Sequence, residues 1–150
     1  MKVYVASAAG HWPAAYNVIL ALDGHGHTIT HDWTADIRNG IYNVPGKLTD
    51  AQMHGLADAD IVAVQEADAV VLLYRAGMRG AWCEVGAALA LGKPVIVLDD
   101  EDKITDDAAP CVFLYHSLAD RQRTITGVLA LLAFYNECGH PVTAIAKNGG

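Results

Sequence analysis

Several things are scarce in this chain, and each scarcity removes a class of function. No apolar run in its 150 residues approaches the ~20 needed to span a bilayer, so a membrane partner is not expected. The start Met1-Lys2-Val3-Tyr4-Val5 lacks the long apolar stretch and small-residue cleavage site of a secretory signal, which gives a cytoplasmic location as the expectation. Cysteine is sparse and unpatterned: Cys83, Cys111 and Cys138 are odd in number and form no CxxC, which argues against structural disulfides and a cysteine zinc site. Basic residues number 10 against 17 acidic ones, for a net charge of −7, and they form no stripe, so a small molecule is a better partner than a nucleic acid. There is no GxGxxG after the first strand, no Walker sequence and no GxSxG, which removes the mechanical parts of dinucleotide binding, triphosphate hydrolysis and serine hydrolysis.

What is present is apolar. The chain is 53% hydrophobic and only 18% charged, enough for one domain over 1–150 with a single core, and it suggests that another subunit covers part of the surface. Apolar and polar segments alternate as in a βαβ protein. Residues 3–7 read as strand one, 13–22 as a helix broken at Asp23-Gly24-His25-Gly26, and 28–33 as strand two. Residues 34–47, with Gly40, Pro45 and Gly46, read as a long irregular connection. Thr49-Asp50 caps a helix running to Ala67, and the apolar run 69–74 is a strand buried on both faces. A helix carrying Glu84 follows, then strand four at 93–98, strand five at 111–115 and a last helix from 119 to about 136. Five strands alternating with helices predict an α/β three-layer sandwich around a five-stranded parallel sheet, flavodoxin-like or Rossmann-like. Such folds bind ligands beyond the carboxyl ends of the strands, which directs attention to Ser7–Trp12, to Trp33 onward and to 75–80.

Two carboxylates stand out. Glu84 is the only charge in the otherwise apolar run 81–92. At about 100° per residue it shares a face with Ala81, Ala87, Ala88 and Leu91, so it points inward, while Trp82, Leu89 and Ala90 make the opposite face apolar too and suit contact with a helix or a subunit. A position in the first helical turn would keep Glu84 ionised, as a nucleophile or base; equally, it would cap the helix or pair with Arg75 or Arg79. The preceding helix repeats the anomaly, because Met53, Leu56, Ala57, Ala63, Val64 and Ala67 surround Asp60. Two inward carboxylates flanking one strand suit cleavage at an acetal-like carbon, one attacking and the other handling the leaving group's proton. Pairing of Asp60 with a lysine, or capping of a neighbouring strand, is the alternative.

These residues in this order resemble the nucleoside 2-deoxyribosyltransferase family and its nucleotide N-glycoside hydrolase relatives, over most of residues 2–98. The resemblance rests on Val3-Tyr4-Val5-Ala6-Ser7, on Gly26-His27-Thr28-Ile29-Thr30-His31-Asp32-Trp33, on Asp60 with Asp68, and on Gly80-Ala81-Trp82-Cys83-Glu84-Val85-Gly86 leading into Ala90-Leu91-Gly92-Lys93-Pro94-Val95-Ile96. It implies that Glu84 is the nucleophile that attacks C1′ to form a glycosyl ester, that Tyr4 holds that carboxylate, and that Asp60 assists proton transfer at the base. It implies no metal or organic cofactor, and a homo-oligomer in which a neighbouring subunit completes the site from the carboxy-terminal part. Where transferases of the family commonly place an acid six positions before the nucleophile, this chain has Met78, so its sugar recognition differs.

Other candidates line the expected cleft. The segment Arg75-Ala76-Gly77-Met78-Arg79-Gly80 is short, glycine-bearing and ends at a helix start, so it can hold a 5′-phosphate, unless its arginines are merely solvated. Ser7-Ala8-Ala9-Gly10 loosely resembles a phosphate loop. Trp33, or Tyr42, can stack on a base, although Trp33 can equally cover the sheet edge, and His11 and Trp12 can line the cleft or simply begin a helix. His25, His27 and His31 have no acidic or cysteine ligand at suitable spacing, so no metal is expected. The expected function is cleavage of the N-glycosidic bond of a (deoxy)nucleoside or its 5′-monophosphate, with transfer of the sugar to another base or to water; the alternative is a non-catalytic nucleotide-sensing module of the same fold.

Overall fold

A computed structural model of the chain describes residues 1–41, 48–75, 77–107 and 109–140. Five parallel strands, β1 (Lys2–Ala6), β2 (Thr28–Ile29), β3 (Ala69–Leu73), β4 (Val95–Leu98) and β5 (Ala119–Gln122), form one sheet in the order β2-β1-β3-β4-β5. This is the flavodoxin-like order, and it places the topological switch, where ligands settle in such sheets, between β1 and β3. The three central strands are almost wholly Val, Ile, Leu and Ala and are buried on both faces, as parallel strands covered by helices must be.

Two helices cover each face. On one side α1 (Trp12–Gly24) packs beside the last helix, α6 (Ile125–Cys138); on the other, α3 (Asp50–Glu66) packs beside α4 (Arg79–Ala90). The buried residues of α1, Ala15, Val18, Ile19 and Leu22, follow the helical repeat. A capping box starts α3: Gln52 N–H donates to Thr49 Oγ1 at 3.2 Å and Thr49 N–H to Gln52 Oε1 at 2.8 Å, fulfilling the cap read at Thr49. Two short helices, α2 (Thr34–Arg38) and α5 (Lys103–Asp106), fill connections. No helix among the described residues is long and apolar enough to cross a membrane.

The structure differs from the sequence expectation at both sheet edges. Strand two was expected over 28–33, yet β2 stops at Ile29, because the chain turns into α2 and the Trp33 indole N–H, not another strand residue, donates to the Val5 carbonyl at 2.7 Å. That helix also replaces the first part of the irregular connection expected over 34–47. The apolar run 111–115 is not strand five: residues Val112–Tyr115 form a 3-10 turn with Val112 and Tyr115 largely exposed. The edge strand is instead the polar Ala119–Gln122, which the sequence reading had placed inside the last helix. A strand paired on one side only, with its outer groups in reach of water, does not need an apolar sequence.

Two helix faces are also corrected. Only the last turns of the Asp60 stripe are packed, at Ala63, Val64 and Ala67; Met53 lies in solvent, as do Ile61 and Val62. The outer face of α4 is largely used within the chain, Leu89 being buried and Trp82 packing edge-on against Tyr74 with ring centroids 6.3 Å apart.

Candidate active site

Tyr4 is the centre of the site. Its β1 position makes it fully buried, with its ring on the face covered by α3 and α4. Its hydroxyl lies 3.0 Å from Asp60 Oδ1 of α3 and 3.0 Å from Glu84 Oε1 of α4. Oδ1 of Asp60 and Oε1 of Glu84 are therefore no more than about 6 Å apart, a bound that includes the ~5–5.5 Å spacing of acid and nucleophile in retaining glycosidases. A phenol has one hydrogen to donate, so both contacts are hydrogen bonds only when one of the carboxyl groups carries a proton of its own.

The electrostatics agree. Burial, and then the two neighbouring carboxylates, push the Tyr4 hydroxyl far above its ordinary range, so it stays a donor. Burial first, and the charge of Asp60 second, raise Glu84 to about 7, against the pull of the Tyr4 hydrogen bond. Asp60 is also raised, by burial, with Tyr4 and His31 opposing and Asp36 adding to the rise. Glu84 is thus not held ionised by the first helical turn, as the sequence suggested. The helix begins at Arg79, two residues earlier than the apolar run implied, which puts Glu84 in the second turn, beyond the reach of the free N–H groups.

The carboxylates open into a cleft of about 270 Å³. Ser7, Ala8 and Ala9 after β1 form one wall, Gly77, Arg79 and Gly80 at the start of α4 another, and Trp33 a third. Ser7 is fixed by donating from Oγ to the Leu73 carbonyl at 3.1 Å, and Gly77 takes φ +76°, a conformation that only glycine adopts freely. Trp33 keeps a narrow exposed margin, about 8%, because its indole completes the β1 edge. Arg79 is exposed and has no ion-pair partner among the described residues. Such a cleft, with two raised carboxyl groups on one phenol and an open cation at its rim, can add a nucleophile to an electrophilic carbon, move a proton, and hold an anion.

Three sequence candidates lie elsewhere. Arg75 is not merely solvated: it is buried, with Nη1 on the Tyr74 carbonyl at 2.6 Å and on Asp100 Oδ1 at 2.7 Å, and Nε 3.4 Å from Glu101. A buried guanidinium needs those anions. Met78 is buried as the residue before α4, its sulfur accepting from Arg75 N–H at 3.1 Å. With His11, at the end of a 3-10 turn, Met78 and Arg75 line a larger neighbouring cavity of about 660 Å³ together with Glu101, Lys103, Asp106 and Asp107. Among the described residues that cavity shares only Gly77 with the carboxylate cleft. Tyr42 lies outside the described residues.

One residue was missed. His31, set aside as an unneeded metal ligand, places Nε2 3.8 Å from Asp60 Oδ1. The sequence put His31 inside strand two, so its place beyond the end of β2 emerges only from the fold.

No family model matches the chain, and no curated protein matches it in sequence. Among solved structures it is similar to the Clostridium botulinum CMP N-glycosidase BcmB, with 19% identity, 90% of this chain and 99% of that one covered, and a TM-score of 0.53. At that identity the likeness is one of fold.

Proposed function

We propose that this protein cleaves the N-glycosidic bond of a nucleoside 5′-monophosphate by a double displacement through Glu84. The observation that carries the reading is the Tyr4 hydroxyl lying between Asp60 and Glu84 at 3.0 Å from each, on an open cleft at the switch point of the sheet. Ionised Glu84 attacks C1′, the C1′–N bond breaks, and the base leaves with a proton from Asp60. Asp60, now ionised, takes a proton from water, whose oxygen attacks C1′ of the ester and releases the sugar phosphate and Glu84. Another base in place of that water would give transfer instead of hydrolysis.

Several features favour this substrate class. Arg79 and the N–H groups at the start of α4 supply an anion site on the cleft, and the similar fold belongs to an N-glycosidase of CMP. The narrow Trp33 margin suits the edge of a base. No step in this scheme calls on a metal or an organic cofactor. The reading includes a homo-oligomer: Met53, Ile61 and Val62 of α3 and Leu91 leave exposed apolar surface beside the cleft helices.

The test is incubation with a panel of nucleosides and 5′-monophosphates, ribo and 2′-deoxy, with free base followed by chromatography. Wild type is expected to release base, and Glu84→Gln and Glu84→Ala to lose at least about 10⁴-fold of that rate. Binding without release would support the sensing module instead. Release that survives both substitutions would remove Glu84 from the mechanism.

A further inference from the structure

The scheme leaves His31 unused, and its surroundings are unusual. The ring follows β2 in the turn towards α2. Its Nε2 is shielded from solvent and makes no hydrogen bond among the described residues, yet Asp60 Oδ1 is only 3.8 Å away. A buried ring nitrogen without a partner is costly, and a movement of about 0.6 Å would bring this pair into normal N–H···O range. Oδ1 also takes the Tyr4 hydroxyl at 3.0 Å. Both contacts of Asp60 thus fall on one oxygen. Among the described residues Oδ2 has no hydrogen bond, although Asp60 lines the cleft.

We propose that His31 is a positioning residue for Asp60: with Tyr4 it pins Oδ1, so that Oδ2 is the oxygen presented to the departing base. Among the described residues the titratable groups in contact with Asp60 or acting on its charge are Tyr4 from β1, His31 beyond β2, Asp36 from α2 and Glu84 from α4, with Arg79 at the rim of the same cleft. Among the first four His31 alone can carry a positive charge. Burial lifts Asp60, and His31 acts with Tyr4 against that lift. Removing the ring therefore has two effects, a looser carboxyl group and one that holds its proton to higher pH.

The role at the leaving base rests on the proposed N-glycosidase reading, whereas the contact between His31 and Asp60 does not, and the two are measured separately. In ligand-free protein, the Asp60 side-chain carboxyl is titrated by ¹³C NMR in wild type, His31→Phe and His31→Gln. Asp60 is expected to titrate at higher pH in both variants. With a nucleotide substrate, His31→Phe is expected to lose kcat by about ten- to a hundredfold with KM nearly unchanged, less than the ~10²–10⁴ expected for loss of the acid itself. His31→Gln, which restores an N–H donor without the charge, should recover part of that loss. With a nitrophenyl glycoside phosphate, whose leaving group departs as a stable anion without taking a proton, the loss in His31→Phe should shrink to less than about threefold.

Unchanged titration of Asp60 in His31→Phe overturns the proposal, and so does an equal loss on both substrates. If His31→Phe fails to fold, His31→Gln decides: an upward shift of the Asp60 titration at unchanged melting temperature supports the proposal, and no shift overturns it. Wild type that releases no base at all would sink the N-glycosidase reading, while the Asp60 titration would still decide whether His31 holds Asp60.

Discussion

Replacing Glu84 by glutamine should make this protein more stable, in a way that depends on pH. The amide keeps the length of the side chain and an Oε1 to accept from Tyr4, and removes only the charge. Folding carries Glu84 from an ordinary 4.5 to about 7, through burial first and the charge of Asp60 second. An acid raised on folding binds its proton more tightly in the folded state. Below 4.5 it is protonated in both states; between 4.5 and about 7 stability is lost as pH rises; above that the loss is complete. At ~1.36 kcal/mol per pH unit the whole shift corresponds to about 3 kcal/mol, and residual solvent around a group that opens onto a cleft reduces this to about 1–2 kcal/mol. For a chain of this size each kcal/mol is about 2–4 °C, so Glu84→Gln should melt about 2–8 °C above wild type near pH ~8. Near pH ~4 the two should coincide within about 1 °C. Thermal melts followed by circular dichroism across that range give the difference curve. A difference that is flat with pH, or a variant less stable than wild type near pH ~8, would refute the assignment of a buried, raised carboxyl group to Glu84.

Tyr4→Phe removes the donor that lowers both carboxyl groups, so the rise of kcat/KM with pH that reports Glu84 ionisation in the free protein, near 7 in wild type, should move upward while kcat/KM falls about ten- to a hundredfold in a pH–rate profile. Arg79→Ala should raise KM for a 5′-monophosphate by about tenfold or more and leave the melting temperature nearly unchanged, whereas Arg75→Met, which strands Asp100 and Glu101 without their buried partner, should lower the melting temperature; a reversal of that contrast would misplace the phosphate site. Trp33→Phe deprives the Val5 carbonyl of its donor and should cost about 1–3 kcal/mol in urea denaturation, with an unaltered midpoint counting against the edge-completing role of the indole.

How much of this could be read in the sequence follows the range of the interactions involved. The central strands were legible because a strand buried on both faces must be apolar throughout, and the inward direction of Asp60 and Glu84 because helical geometry carries a local pattern onto one face. Both side chains do meet Tyr4, 56 and 80 residues away along the chain. The edge strand β5 was not legible, since pairing on one side with a polar sequence leaves no hydrophobic repeat, while the apolar run before it was better spent on a surface turn. The state of Arg75 was hidden for another reason: its anionic partners Asp100 and Glu101 follow β4 and reach it only through the pairing of β3 with β4. For Glu84, a shift of two residues in where α4 begins was enough to change which force sets its charge. His31 was seen as a metal ligand to be dismissed, because the carboxylate beside it comes from a helix that starts 19 residues later.

The single hydrogen of Tyr4 has a consequence for how rigid the cleft can be. In the proposed cycle the state before attack needs an ionised Glu84 and a protonated Asp60; the ester state needs the reverse, an uncharged Glu84 and an ionised Asp60. With its hydrogen towards ionised Glu84 the phenol leaves the Asp60 proton on Oδ2, facing the base, and after a rotation about its C–O bond it donates to Oδ1 of the ionised Asp60. Both halves of the reaction are then served by turning one hydrogen, with no heavy atom displaced. A β1 tyrosine locked in the core can therefore follow the negative charge from one carboxyl group to the other, and the walls of the cleft need not move between the two chemical steps.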